Sequence, residues 1–379
     1  MRTVLFLGTR LGIGGAEQIW AKLLTRLDRN RFRPLLGCLY DPGVLGENLK
    51  QSGVTVYSDL AAHRWDLRIL PRLLSLLRRE HVDLLYIINQ PFSQFWGTLC
   101  GKLAGTPVLI TSIHSTGKIS RVHRRLWINQ LTFPFMDRVT ALSETHKTYL
   151  AEQEGIDPKK IEIIPNGIEV DRFASAEARN GLRSSFGIEN GEPIVGIVAM
   201  LRPEKSHDIF LQAAGKILRK NPKAHFLVVG DGPERPRLEM LTQKLNLSSR
   251  VHFVGARNDV PEIISLFDVG VLSSQPVVET LSVSVLEYMA SGKPVVATRV
   301  GSLPEIVEEA RSGFLVEPGD AESLADRILQ LLDDQQLARQ MGARGHERVA
   351  REYTVEQMVK KTEDLFERLL KDQEASRCA

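Results

Sequence analysis

Pro193-Ile194-Val195-Gly196-Ile197-Val198-Ala199 is a short β-rich run that follows a polar, turn-rich stretch around Asn166 to Glu192. It restarts a pattern that the chain has already run once. Before it, Thr3 to Gly8, Asp83 to Ile88 and Pro107 to Ile113 are each followed by a segment of helical period, the first from about Ala16. After it, further strands are expected at His225 to Gly230, Val251 to Val254, Val269 to Ser273 and Pro294 to Thr298. Apolar runs alternating with longer helical segments are the grammar of parallel sheets covered on both faces. The expectation is two α/β domains, residues 1–185 and 186–354. A charged helix follows at about 355–371, in which Val355, Met358, Val359, Leu365, Leu369 and Leu370 form an incomplete apolar stripe.

The chain has 379 residues, 43% hydrophobic and 25% charged, which suits two domains with full cores. Its net charge of +3 is unevenly spread: 24 Lys and Arg face 17 Asp and Glu in residues 1–180, against 25 and 29 in the remainder. The basic first half fits contact with something anionic, a phospholipid surface or a phosphate-bearing substrate, or simply a solvated basic face. Cys38, Cys100 and Cys378 are scattered and form no CxxC spacing, so neither a disulfide framework nor a zinc site is expected. No apolar run approaches the roughly 18 residues of a membrane span, and no signal peptide is read at the N-terminus. A cytoplasmic location is expected.

Four segments have a setting suited to ligand chemistry. Gly12-Ile13-Gly14-Gly15-Ala16-Glu17 joins a strand to a helix, where small residues let backbone N–H groups approach a ligand oxygen. It is neither a GxGxxG fingerprint nor a Walker loop. Arg202 and Lys205 lie just beyond a strand's carboxyl end, well placed to hold a diphosphate, although Arg-x-x-Lys on a surface loop is common. Glu279 and Glu287 flank Thr280-Leu281-Ser282-Val283-Ser284, a loop feeding an apolar helix whose first N–H groups suit phosphate and whose carboxylate suits ribose hydroxyls. His114 ends an apolar strand. No DxD, HExxH or GxSxG occurs, which weakens the case for metal-dependent transfer and for zinc or serine hydrolysis.

In order and spacing, these segments resemble the retaining glycosyltransferase family 4. Further matching pieces are Ile164-Pro165-Asn166-Gly167-Ile168, Val229-Gly230-Asp231-Gly232-Pro233, Val251-His252-Phe253-Val254-Gly255 and Gly301-Ser302-Leu303-Pro304-Glu305-Ile306-Val307. The resemblance implies the GT-B fold: two Rossmann-like domains facing across a cleft, the first binding acceptor, the second nucleotide sugar, with the last helix returning to the first. It implies that Arg202 and Lys205 bind the donor diphosphate, Glu287 the ribose and Glu279 the sugar hydroxyls. Amides at Ser282 and Val283 would cradle phosphate, Gly255, Ala256 and Arg257 would border the base, and Gly14, Gly15 and His114 would face sugar and acceptor. The family usually shows Gly-Phe-Gly or Gly-Phe-Ser where this chain has Thr280-Leu281-Ser282, so a side chain replaces a glycine beside the donor sugar.

The expected activity is metal-independent, retaining transfer from a UDP-, GDP- or ADP-sugar to a hydroxyl of a glycan, lipid-linked or small-molecule acceptor, with no cofactor. A sugar-nucleotide epimerase or phosphorylase on the same fold, or a catalytically silent binding protein, stands as the alternative. Nucleic acid is not an expected partner. Lys118, Arg121, His123, Arg124 and Arg125 lead into Leu126-Trp127, with Phe133-Pro134-Phe135 beyond. Basic residues beside aromatics suit an anionic membrane surface if the rings are exposed, and a plain core if they are not.

Overall fold

The computed structural model describes residues 1–12, 15–64, 66–114, 123–177, 181–276 and 279–378, with no account of the side chains at 123–126 and 377–378. Gly14, Lys118 and Arg121 therefore lie outside the described residues, as do the side chains of His123, Arg124, Arg125 and Leu126. The chain forms two compact units, one of Met1–Gly167 with Val355–Ala379, the other of Ile168–Thr354.

In the first unit the described strands are β1 (Arg2–Gly8), β2 (Phe32–Cys38), β3 (Thr55–Tyr57), β4 (Leu84–Ile88), β5 (Val108–Ser112), β6 (Arg138–Ala141) and β7 (Ile161–Ile163). They make one sheet in the order β3-β2-β1-β4-β5-β6-β7, and their pairings are parallel. The unbroken apolar runs follow from burial on both faces. Val4 and Phe6 of β1 join one core cluster with Leu84 and Tyr86 of β4, while Leu5 and Leu7 join a second with Leu85 and Ile87. Successive residues of one strand thus feed opposite layers.

The helix Val355–Cys378 completes the first of those layers. All six residues of its expected stripe are buried there, and the gap in the stripe is filled by Phe366, which is fully buried. The Phe366 ring meets Tyr86, Phe32 and Phe6 edge-on at centroid distances of 5.5, 5.9 and 6.4 Å. Trp20, on the helix Gly15–Arg26, stacks on Tyr86 at 5.3 Å. On the polar side of the helix, Glu363 and Glu367 receive Arg31 at 2.9 and 2.6 Å.

The second unit carries β8 (Ile194–Val198), β9 (His225–Val229), β10 (Val251–Gly255), β11 (Val269–Leu272), β12 (Val295–Thr298) and β13 (Gly313–Val316), again parallel, in the order β10-β9-β8-β11-β12-β13. The order reverses between β8 and β11. From β8 the chain winds outward through β9 to β10, then returns to β8's other side as β11. Such a reversal opens a crevice at the carboxyl ends of the two strands.

Phe366→Ala empties a fully enclosed aromatic site and is expected to cost about 3–5 kcal/mol. Urea unfolding followed by tryptophan fluorescence, with Trp20 as a near neighbour, checks this. A loss below 1 kcal/mol would show that the helix does not support the first core.

Candidate functional site

The loop after β8 is shaped by the loop after β9. The Leu201 N–H donates to the Asp231 carbonyl at 3.0 Å, and the Glu234 N–H donates to the Leu201 carbonyl at 3.0 Å. Gly230 has φ +134°, and a Cβ there would lie 2.1 Å from the Ala199 carbonyl oxygen. Only glycine lets the two loops meet this closely. Arg202 and Lys205 bracket a single turn of 3-10 helix, Pro203–Lys205, which presents both cations at the carboxyl edge of the sheet.

The loop after β11 is stitched to it. Ser273 Oγ donates to the carbonyls of Lys205 and Ser206 at 3.0 and 2.9 Å, and the Gln275 N–H donates to the Glu204 carbonyl at 2.8 Å. Lys205 Nζ reaches across the strand reversal to Glu279 Oε1, which also accepts Ser274 Oγ at 2.7 Å. Glu279 is only 7% exposed. Among the described residues its second oxygen, Oε2, accepts no hydrogen bond. Gly301, at φ +51°, presses so tightly on the Glu279 carbonyl that a Cβ would fall 1.5 Å from its oxygen. Arg202 is half-exposed, with Glu204 3.9 Å away.

Ser282 caps the helix Val283–Ala290, its Oγ accepting the Val285 N–H at 3.4 Å. The other first-turn N–H groups lie beyond intrahelical reach. Tyr288 is fully buried, its hydroxyl accepting from the Val198 N–H at 2.6 Å and donating to the Val271 carbonyl at 3.3 Å. Burial holds this phenol well above its usual range, so it stays protonated. Pinned there to β8 and β11, it fixes the helix's rotation, and Glu287, about 100° around the axis, is half-buried on a different face. The turn at Gly255 (φ +73°) joins the Gly230 N–H through its carbonyl at 2.9 Å. Past Ala256, Arg257 is held by both oxygens of Asp259 at 2.8 and 2.6 Å.

Six of the expected donor residues, Arg202, Lys205, Glu279, Ser282, Val283 and Glu287, thus share the β8/β11 edge, with Gly255 at the end of β10 and Ala256 and Arg257 just beyond it. Ser274, Gly301 and Asp259 were not found by sequence reasoning as parts of the site. Gly301 does stand in a segment carrying the family resemblance, and that was its only signal. In the first unit, Gly15 opens the helix after β1, and His114 follows β5 with Nε2 2.6 Å from Ser112 Oγ. Burial pushes the His114 pKa down to about 4, so the ring is neutral near pH 7.

Two parallel sheets, the second with two cations, an embedded carboxylate and a capped helix at its strand reversal, are the arrangement of an α/β enzyme that binds an anionic ligand at that reversal. Two sequence profiles tile the chain: Glycosyltransferase Family 4 over residues 13–172 and Glycosyl transferases group 1 over residues 179–348. The chain belongs to this family, and it is a GT-B glycosyltransferase that takes sugar from a nucleotide donor. It is 29% identical over 323 residues to the N-acetyl-alpha-D-glucosaminyl L-malate synthase of Bacillus anthracis, covering 84% of this chain and 83% of that one. It is 26% identical to the Escherichia coli UDP-Gal:alpha-D-GlcNAc-diphosphoundecaprenol alpha-1,3-galactosyltransferase, covering 79% of each. The solved structure of Anabaena HepE in complex with UDP matches with a TM-score of 0.83 at 23% identity, covering 97% of this chain and 100% of that chain.

His207 opens the helix His207–Lys220 directly behind Ser206, which has φ +45°. It is 1% exposed, and neither ring nitrogen has a partner among the described residues. Burial first, and the Lys205 charge second, push its pKa down to about 4. An unfolded histidine titrates near 6.5, so between about pH 6.5 and 4 the unfolded chain takes up a proton that the native ring refuses. Stability is therefore full above pH 6.5 and falls as pH drops toward 4. Replacing the ring, His207→Leu, should flatten this slope by up to about 3 kcal/mol at pH 4. Urea midpoints of the two proteins at pH 7, 5.5 and 4.5 measure it, and parallel curves would refute it.

Proposed function

We propose that this enzyme transfers a hexose or related sugar from a UDP-sugar to a hydroxyl acceptor with retention of configuration and without a metal ion. The observation that carries the reading is the Lys205–Glu279 pair across the strand reversal, with Arg202 and the capped helix beside it. Lys205 has three donors and gives one to Glu279, so two remain for diphosphate oxygens. Glu279 uses Oε1 for Lys205 and Ser274, which leaves Oε2 for a hydroxyl of the sugar. Glu287, a turn into the helix, serves the ribose. The UDP complex of Anabaena HepE and the UDP-galactose in the name of the Escherichia coli relative favour uridine over other bases.

Retention follows from attack on the face that the nucleotide leaves. The bond from the sugar's anomeric carbon to the phosphate oxygen breaks, the acceptor oxygen bonds to that carbon from the same side, and the acceptor's proton passes to the departing phosphate. The protein's part is to stabilise charge growing on the diphosphate. Each charge-assisted contact is worth about 1.5–3 kcal/mol. Arg202→Ala and Lys205→Ala are each expected to lower turnover ten- to a hundredfold or more, with EDTA leaving the wild-type rate unchanged. Arg202→Ala should melt like the wild type, because its side chain is half-exposed, whereas Lys205→Ala strands a buried carboxylate and should melt lower. UDP release from UDP-sugars, with and without acceptor, gives the rates. Two variants of near-normal activity would overturn the assignment.

We also propose that the first unit rests against an anionic membrane surface. Trp127, Leu131 and Phe135 are half-exposed, Leu131 and Phe135 lie beside Leu99 of the helix Pro91–Ala104, and Leu103 of that helix is exposed too. Phe133, by contrast, is core. A groove of about 200 Å³ runs between Phe95, Leu99, Leu131 and Phe135. From Leu84 to Met136 the sequence contains no acidic residue and five Lys or Arg. Apolar rings in a cation-rich, acid-free stretch match the chemistry of anionic headgroups over acyl chains. Among the described residues no helix is long and apolar enough to cross a membrane. Co-sedimentation with vesicles containing phosphatidylglycerol should exceed that with phosphatidylcholine alone and weaken with salt. Trp127→Ser with Phe135→Ser should reduce it at least fivefold, and equal binding by the double variant would refute the contact.

A further inference from the structure

The carboxyl edge of the first unit's sheet has its own open pocket of about 1000 Å³, on the side of β1, β2 and β3. Its floor is set by backbone hydrogen bonds that continue the sheet beyond the strands. The Tyr40 N–H donates to the Thr9 carbonyl at 3.0 Å, the Asp59 N–H to the Tyr40 carbonyl at 2.9 Å, and the Ala61 N–H to the Leu39 carbonyl at 2.8 Å. Asp59 is held at φ +57° within this arrangement. The pocket therefore exists without rearrangement of the loops that bound it.

Its charge is unbalanced. Arg10, Arg64, Arg68 and Arg72 line it against Asp41 and Asp59, and with the Asp66 that pairs Arg68 the count is four arginines to three carboxylates. Arg10 pairs with Asp41, while Asp59 accepts Ser58 Oγ at 2.7 Å. Arg68 is locked by the buried Asp66, which takes its Nε at 2.8 Å and Nη2 at 3.1 Å and also the Ala62 N–H at 2.9 Å. That grip holds the Asp66 carboxyl well below the usual carboxylate range and fixes the plane of the Arg68 fork, with Nη1 left facing away. Arg72 donates Nη1 to the Asp59 and Leu60 carbonyls at 3.3 and 3.4 Å. Those bonds aim the guanidinium without cancelling its charge, and among the described residues Arg72 forms no ion pair. It also stands in the first turn of the helix Ile69–Arg79, whose positive end adds to the field.

We infer that this pocket holds the acceptor, and that the acceptor carries an anionic group, a phosphate monoester or a carboxylate, gripped by Arg68 and Arg72. The inference rests on the transferase reading above and extends it to the acceptor's chemical class. A neutral sugar or alcohol offers no charge to Arg72, which no carboxylate among the described residues neutralises, and no strong acceptor to the Nη1 that Arg68 keeps free of Asp66. A doubly charged oxyanion meets two guanidinium groups, one planar and clamped, the other aimed by carbonyls, at little cost in side-chain ordering.

The test titrates small hydroxyl compounds into the protein at saturating UDP, so that the donor diphosphate site is already filled. The probes are glycerol 3-phosphate and L-malate, with glycerol and malamide as their neutral counterparts. At least one anion should bind ten times more tightly than its neutral counterpart, and raising NaCl to 0.5 M should weaken it. Which of the two anions wins assigns phosphate or carboxylate. Arg68→Gln and Arg72→Gln should each weaken that anion ten- to a hundredfold, and Arg72→Lys by less than Arg72→Gln. Arg72 is exposed and bonds only carbonyls, so Arg72→Gln should melt near the wild type and carries the test by itself, whereas Arg68→Gln leaves the buried Asp66 carboxylate without its guanidinium and should melt lower. No anion preference, or anion affinity unchanged in Arg72→Gln, overturns the inference. UDP binding in the same samples reports on the donor reading separately: protein that binds UDP without discriminating anions keeps its donor site and loses this one.

Discussion

Glu279 sets an ionisable group where water barely reaches, and an uncompensated carboxylate in that position would cost several kcal/mol. Its compensation comes from both sides of the strand reversal: Lys205 from the loop after β8, Ser274 from the end of β11. Satisfying one carboxylate therefore fixes the relative positions of two loops that nothing in the local sequence would bring together. The close packing of Gly301 on the Glu279 carbonyl ties in a third loop, from the end of β12. The site is stiff because a buried charge tolerates few alternatives.

The architecture was readable because strands buried on both faces carry their signal in an unbroken apolar run, as β4, β5 and β9 do. β2 was harder to read. It contains Pro34 and Gly37, residues that demote a strand on local grounds, yet it lies between β1 and β3, held by packing on both layers. β3 and β7 are three residues each, too short for any periodicity. The stripe on the last helix was legible, but its central member Phe366 was not, because which apolar residue meets Tyr86 depends on a strand 280 residues earlier in the chain.

The same division runs through the candidate site. Arg202 and Lys205 could be singled out because a strand precedes them, and position at a strand's carboxyl end is local information. Ser274 could not, since a serine in an apolar neighbourhood acquires meaning only when a carboxylate five residues later folds back onto it. The Arg68 fork was invisible for a similar reason. Its partner Asp66 is two positions away, but the burial of that carboxylate, which turns a surface pair into a clamp, is a property of the folded unit. Trp127 and Phe133 show the converse: ring type alone gave no way to tell an exposed aromatic from a core one.

The helix Val355–Cys378 belongs to the first unit although the whole second unit intervenes in the chain. On a ribosome, the sheet from β1 to β7 emerges early but lacks Phe366, Met358 and Leu369 to cover one of its faces. The later unit, continuous from Ile168 to Thr354, has all of its own core before that covering arrives. The half synthesised first is thus the half finished last, and its bare aromatic face around Phe6, Phe32 and Tyr86 is what a growing chain must keep from other chains in the meantime.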